Sequence, residues 1–175
     1  MKRTSAREIA IQLGFAVAAT GQDPSEAVAA FFEPSHYNAM RGEGELYDEK
    51  PSRKDLAFIT GSVEGVTAHR AELDGYIGKY AKGWRTERIS RSAAAVMRQA
   101  MYEILYMPDV PDAASMNEAV ELLKGYEDGG VVAFANGILG GFYRGEVRPE
   151  GPAEEPSDEL SEEAAEEPSE EPSDA

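Results

Sequence analysis

Few side chains in this sequence are placed to do covalent or acid–base chemistry. The histidines, His36 and His69, are far apart in the chain. They lack the short spacing that lets two imidazoles share a metal, and no His-Glu-x-x-His turn is present. Both read as surface or loop histidines. Glu118 and Glu121 lie one helical turn apart and could form an acid/base pair. A capping role for Glu118 and a solvated Glu121 account for them more simply. The chain holds no cysteine, which excludes disulfides and thiolate chemistry. It also lacks a Walker loop, a Gly-rich dinucleotide turn and a Gly-x-Ser-x-Gly elbow. The expectation is therefore no catalytic residue, no metal ligand and no cofactor.

Capture of a polyanion is better represented. Lys2, Arg3 and Arg7 cluster at the start of the chain. Lys79, Lys82, Arg85, Arg88, Arg91 and Arg98 fall in one window, residues 79–98, whose acids are Glu87 alone, a local charge of +5. Such cations neutralise phosphates, and guanidiniums stack on unpaired bases. The same residues also suit the solvated face of a soluble protein. Asn136-Gly137 is a second signal. Asn-Gly ordinarily marks a turn, yet here it sits inside a helical apolar period, where Gly costs roughly 1 kcal/mol against Ala. Either helices pack closely there, or the Asn amide, with donors and an acceptor, is displayed to a ligand such as a base edge. Phe134 serves as core or as a stacking platform.

Helices must position these groups. Ser5 and Glu8 form a possible capping box for a first helix through about Ala19, with Ile9, Leu13 and Val17 on one face. Asp23 as N-cap and Pro24 in the first turn open a second, which stops before Pro34. Residues 34–51 read as a long loop. Ser52 with Asp55 opens a long amphipathic stretch to about Lys82, broken near His69 to Glu72 and closed by Gly83 and Trp84. Ser90 caps the next helix, ended by Pro108 and Pro111. Ser115 and Glu118 suggest another capping box, and Gly129-Gly130 precede a last helix. No long period-two alternation suggests a strand. The expected fold is all-α, about seven helices.

Charge divides the chain. Twelve of its 33 acidic residues and none of its 17 basic residues fall in 150–175, so residues 1–149 carry −4 and the rest −12. The net charge of −16 thus does not argue against nucleic-acid binding by the body. Repeats such as Glu155-Pro156-Ser157-Asp158 and Glu167-Pro168-Ser169-Glu170 cannot bury enough surface to offset chain entropy. The expected organisation is a helical domain over 1–148 and a disordered acidic tail over 149–175. That tail either solubilises the protein or mimics a phosphate backbone and competes for a basic face. No signal peptide and no bilayer-length apolar run is evident, so a cytoplasmic protein without membrane contact is expected.

Several motifs, in order, resemble the NusB family of transcription antitermination factors. They are Ala6-Arg7-Glu8-Ile9-Ala10-Ile11-Gln12, Trp84 to Ile89, Arg98-Gln99-Ala100-Met101-Tyr102-Glu103-Ile104-Leu105, Asp109-Val110-Pro111, Asn117 to Lys124, and Phe134 to Leu139. The likeness spans roughly residues 3–143. It implies two packed helical subdomains. It also implies binding of boxA-type single-stranded RNA jointly with NusE, a small-subunit ribosomal protein, within an antitermination complex on RNA polymerase that supports ribosomal RNA transcription. The family includes monomers and homodimers. Carried over by position, the RNA face would comprise Arg3, Arg7, Gln12, Phe134 and Asn136, with Lys2 beside them.

The departures all remove phosphate contacts or positioning elements. Thr4 and Ser5 interrupt the basic run, the aromatic after Gln12 is displaced to Phe15, Ala133 stands where Lys is common, and Ser90-Arg91 replaces Ser-Pro. Weaker intrinsic RNA affinity is expected, made up by the partner or not at all. The losses also suit a protein-only adaptor that keeps the fold and partner surface. An RNA methyltransferase fragment, the other relative of this fold, is disfavoured because no Gly-rich cofactor motif follows.

Overall fold

Apolar residues at helical spacing build the molecule. In the computed structural model, which describes residues 1–83 and 89–149, there are eight α-helices and no strand among the described residues. They are α1 (Arg3–Thr20), α2 (Pro24–Phe31), α3 (Pro34–Met40), α4 (Arg53–Ala68), α5 (Arg70–Tyr80), α6 (Arg91–Tyr106), α7 (Asp112–Tyr126) and α8 (Gly129–Phe142). A 3-10 turn at Glu45–Tyr47 and a π-helical turn at Tyr143–Val147 complete them.

Two cores result. Ile9, Leu13 and Val17 of α1 meet Val28 of α2 and Phe58, Ile59 and Val63 of α4. Leu73 and Ile77 of α5 meet Met97 and Met101 of α6, Leu123 of α7 and Ile138, Leu139 and Phe142 of α8. Each fully buried side chain of this size contributes about 1.5–3 kcal/mol. α6 joins the halves, because it packs on α1 and α4 as well as on α5, α7 and α8.

Several helix boundaries follow local chemistry. Asp23 accepts from the Glu26 amide with Pro24 in the first turn, and Ser52 with Asp55 makes a reciprocal capping box. Ser90 caps α6 through the Ala93 amide. The break at His69 is real: it ends α4 and begins α5. Gly21, at φ 71°, closes α1 in the left-handed conformation that glycine accepts without strain.

Other boundaries differ from expectation. α1 begins at Arg3 rather than at a Ser5 cap, because the Met1 ammonium anchors the chain start on Asp55 at 3.1 Å and Glu49 at 3.3 Å. Residues 34–51 are not all loop. The Glu33 carboxylate caps α3 by accepting the Ser35 and His36 amides, and Tyr37 and its neighbours pack against Phe31 and Phe32. α7 starts at Asp112, so Ser115 and Glu118 lie inside the helix rather than capping it. Gly129 and Gly130 are the first turn of α8, capped by Asp128. Trp84, Arg85 and Arg88, with the acidic segment 150–175, lie outside the described residues.

Candidate RNA-binding surface

The family-derived residues separate into two groups in the structure. Lys2 and Arg3 are exposed at the start of α1. The Arg3 guanidinium lies 4.2 Å from the centroid of the Phe58 ring on α4, a cation–π contact that orders the side chain without consuming its N–H donors. Met1 holds this start in place. Its ammonium pKa is raised from 8.0, chiefly by the bond to Asp55. Burial pushes the Asp55 carboxyl up, but the Ser52 amide and hydroxyl and the ammonium outweigh it and leave its pKa below 3.8.

Arg7 turns inward. It is 3% exposed, and its guanidinium grips the fully buried Glu103 of α6 in a two-pronged pair: Nε to Oε1 at 2.7 Å and Nη2 to Oε2 at 2.8 Å. Nη1 reaches Glu118 of α7 at 3.3 Å, and Thr4 donates to the same Glu118 oxygen. Glu103 accepts two more bonds, from Gln99 at 2.9 Å and Ser115 at 2.9 Å, and Gln99 donates onward to Ser62 of α4. The buried carboxylate thus has four donors and the network ties α1, α4, α6 and α7 together. No buried side-chain polar atom among the described residues lacks a partner, which is what makes a buried ion tolerable.

Gln12 is half-buried and accepts from the Tyr47 hydroxyl at 3.3 Å. Beside it, Tyr126 at the end of α7 donates to Glu8, and burial, then the Glu8 bond, raise its hydroxyl pKa. Phe134 is half-buried against the α5–α8 core. Asn136 is exposed on α8 and forms no hydrogen bond among the described residues. A Cβ at Gly137 would meet nothing within 4 Å, so close packing does not explain that glycine. Gly137 instead lines a groove of about 460 Å³ with Tyr80, Lys82, Gly141, Arg144 and Gly145. No hydrogen bond joins Arg3, Gln12 and Asn136 among the described residues.

The basic window is also partly spent. Lys79 pairs with Glu146 of the π turn, and Arg98 with Asp74 at 2.6 Å. Lys82 and Arg91 are exposed with no ion pair among the described residues. Sequence reasoning missed the Lys82–Arg144 groove, because Arg144 lies 62 positions further along the chain. The bare spacing Gly137, Gly141, Gly145 was the available signal.

No described helix is long and apolar enough to cross a membrane, and no described group of His, Asp or Glu is arranged to hold a metal ion. Fold and surface define an all-helical module with a cationic helix start, an exposed amide on α8 and a cation-rimmed groove. The NusB family model matches residues 4–144, and the chain belongs to the NusB family of transcription antitermination factors, which are not enzymes. It is 37% identical over 145 residues to the transcription antitermination protein NusB of Symbiobacterium thermophilum, covering 83% of this chain and 91% of that one. Identity to the Clostridium tetani protein of the same name is 34%, over 79% of this chain and 95% of that one. Among solved structures, Thermotoga maritima NusB superposes with a TM-score of 0.65 at 23% identity, covering 82% of this chain and 92% of that one. A structure of the antitermination factors NusB and NusE in complex with dsRNA gives 0.62 at 19%, covering 82% and 96%.

Proposed function

We propose that this chain binds boxA-type single-stranded RNA together with NusE, and thereby takes part in an antitermination complex on cytoplasmic RNA polymerase that supports ribosomal RNA transcription. The observation that carries this reading is Asn136: an exposed amide, without a described hydrogen-bond partner, in the Phe-x-Asn-Gly segment of a NusB-family chain. Membership of the family and likeness to a NusB that is seen with NusE and dsRNA support an RNA-and-NusE reading. Lys2 and Arg3 neutralise phosphates, Gln12 and Asn136 read base edges, and Phe134 offers a ring edge for stacking. Arg7 contributes by holding α1 in place. The partner strengthens a weak contact by ordering the strand.

One set of observations favours a protein-only adaptor: Arg7, Lys79 and Arg98 are all paired with the chain's own carboxylates, Arg7 with a buried one. Titration of a boxA-type RNA with and without NusE, at two salt concentrations, separates the readings. RNA binding that NusE tightens and salt weakens upholds the proposal. NusE binding without any RNA binding leaves the adaptor.

A further inference from the structure

We infer that the groove between α5 and α8 is a docking site for this chain's own acidic segment, residues 150–175, which occupies it in competition with RNA. The groove is lined by Tyr80, Lys82, Gly137, Gly141, Arg144 and Gly145. Its cations, Lys82 and Arg144, are exposed and have no anionic partner among the described residues. Glu146, two positions beyond Arg144, is already neutralised by Lys79 and accepts from the Tyr80 hydroxyl at 2.7 Å. Its pKa is lowered, chiefly by the Lys79 bond, so Glu146 stays ionised and spoken for. Glycine at 137 leaves the floor open, and Arg148 adds an exposed cation just beyond.

The occupant is argued from charge and tether. Residues 150–175 hold twelve acids and no Lys or Arg. They follow within a few positions of the π turn Tyr143–Val147, whose Arg144 and Gly145 form one wall of the groove. A coil of this length has a root-mean-square span of roughly 30 Å, and so short a tether presents its acids at an effective concentration of about millimolar. The family match ends at residue 144, so the acidic segment lies beyond the matched body. Docking itself does not depend on RNA binding; the competition rests on the function proposed above.

The test uses the full-length chain in two forms, native and with every Asp and Glu of 150–175 changed to Asn or Gln. A zero-length carbodiimide cross-linker, read by mass spectrometry, joins Lys82 to carboxylates of the segment in the native chain. Lys54 of α4 is the exposed control. The expected result is a Lys82 cross-link well above Lys54, lost at about 0.5 M salt where the screening length falls to a few ångströms. The neutralised chain binds boxA-type RNA roughly three- to tenfold more tightly at low salt, as a few exposed ion pairs would give. Cross-links spread evenly over Lys54 and Lys82 overturn the docking. A selective Lys82 cross-link with equal RNA affinity in the two forms overturns the competition. A selective cross-link with no RNA binding by either form upholds docking and overturns the RNA reading instead.

Discussion

Removing Arg7 should cost this fold far more than removing any other candidate RNA residue. Its guanidinium supplies two of the four donors to Glu103, which is fully buried. Arg7→Met keeps much of the side-chain volume but leaves that carboxylate with only Gln99 and Ser115. An uncompensated buried charge costs about 3–5 kcal/mol. In a protein of this size each 1 kcal/mol lowers Tm by roughly 2–4 °C, so a fall of about 6–20 °C is expected. Glu103→Leu should cost a similar amount, because it leaves the buried guanidinium with only the 3.3 Å bond to Glu118. The double variant removes both charges, so it should be less destabilised than the two losses added, by about 1–3 kcal/mol. Chemical denaturation of the four proteins measures this coupling. Strict additivity, or an Arg7→Met protein that melts with the parent, refutes the claim that Arg7 is an internal clamp.

Four further outcomes follow from the same geometry. Gly137→Ala should raise stability by about 0.5–1 kcal/mol by thermal melting, since its Cβ enters open space within a helix. Gly65→Ala should lower it by about 1–3 kcal/mol, because its Cβ would fall 1.9 Å from Cζ of Tyr102. The Met1 ammonium, raised above 8.0, contributes stability that is full below pH 8 and lost as pH rises through its raised value; melting of an N-acetylated chain should lack that alkaline loss. Glu72, lowered from 4.5 chiefly by the His69 bond and then by Tyr106, contributes stability present above pH 4.5 and lost as pH falls through its depressed value. Glu72→Gln should flatten that acid limb in a pH-dependent melt.

Periodicity and caps were enough to read most of the helical order from the residues. Ser52 with Asp55, Asp23 with Pro24, and Ser90 each act through neighbours three positions away or fewer, so local chemistry specifies them. Where expectation failed, a distant partner decided. Ser115 and Glu118 look like a cap, but tertiary demand from Glu103, Arg7 and Thr4 claims both side chains. The Met1 anchor moved the start of α1, and aromatic packing turned part of 34–51 into α3. The same logic governs the surface. Arg7 and Arg98 resemble free cations in sequence, and only the fold reveals the carboxylates that hold them. Asn136 is the opposite case: its odd local context called for either close packing or a displayed amide, and α8 displays it.

The most direct test of the account measures boxA-type RNA affinity and thermal unfolding together for Arg3→Ala and Asn136→Ala, in the presence of NusE. Both side chains are exposed, so the unfolding free energy should change by no more than an ordinary surface substitution does, about 0.5 kcal/mol. Arg3→Ala should weaken binding and reduce its salt slope by about one, whereas Asn136→Ala should weaken binding with the slope unchanged. Unaltered RNA affinity in both variants, with folding intact, would contradict the proposed RNA surface.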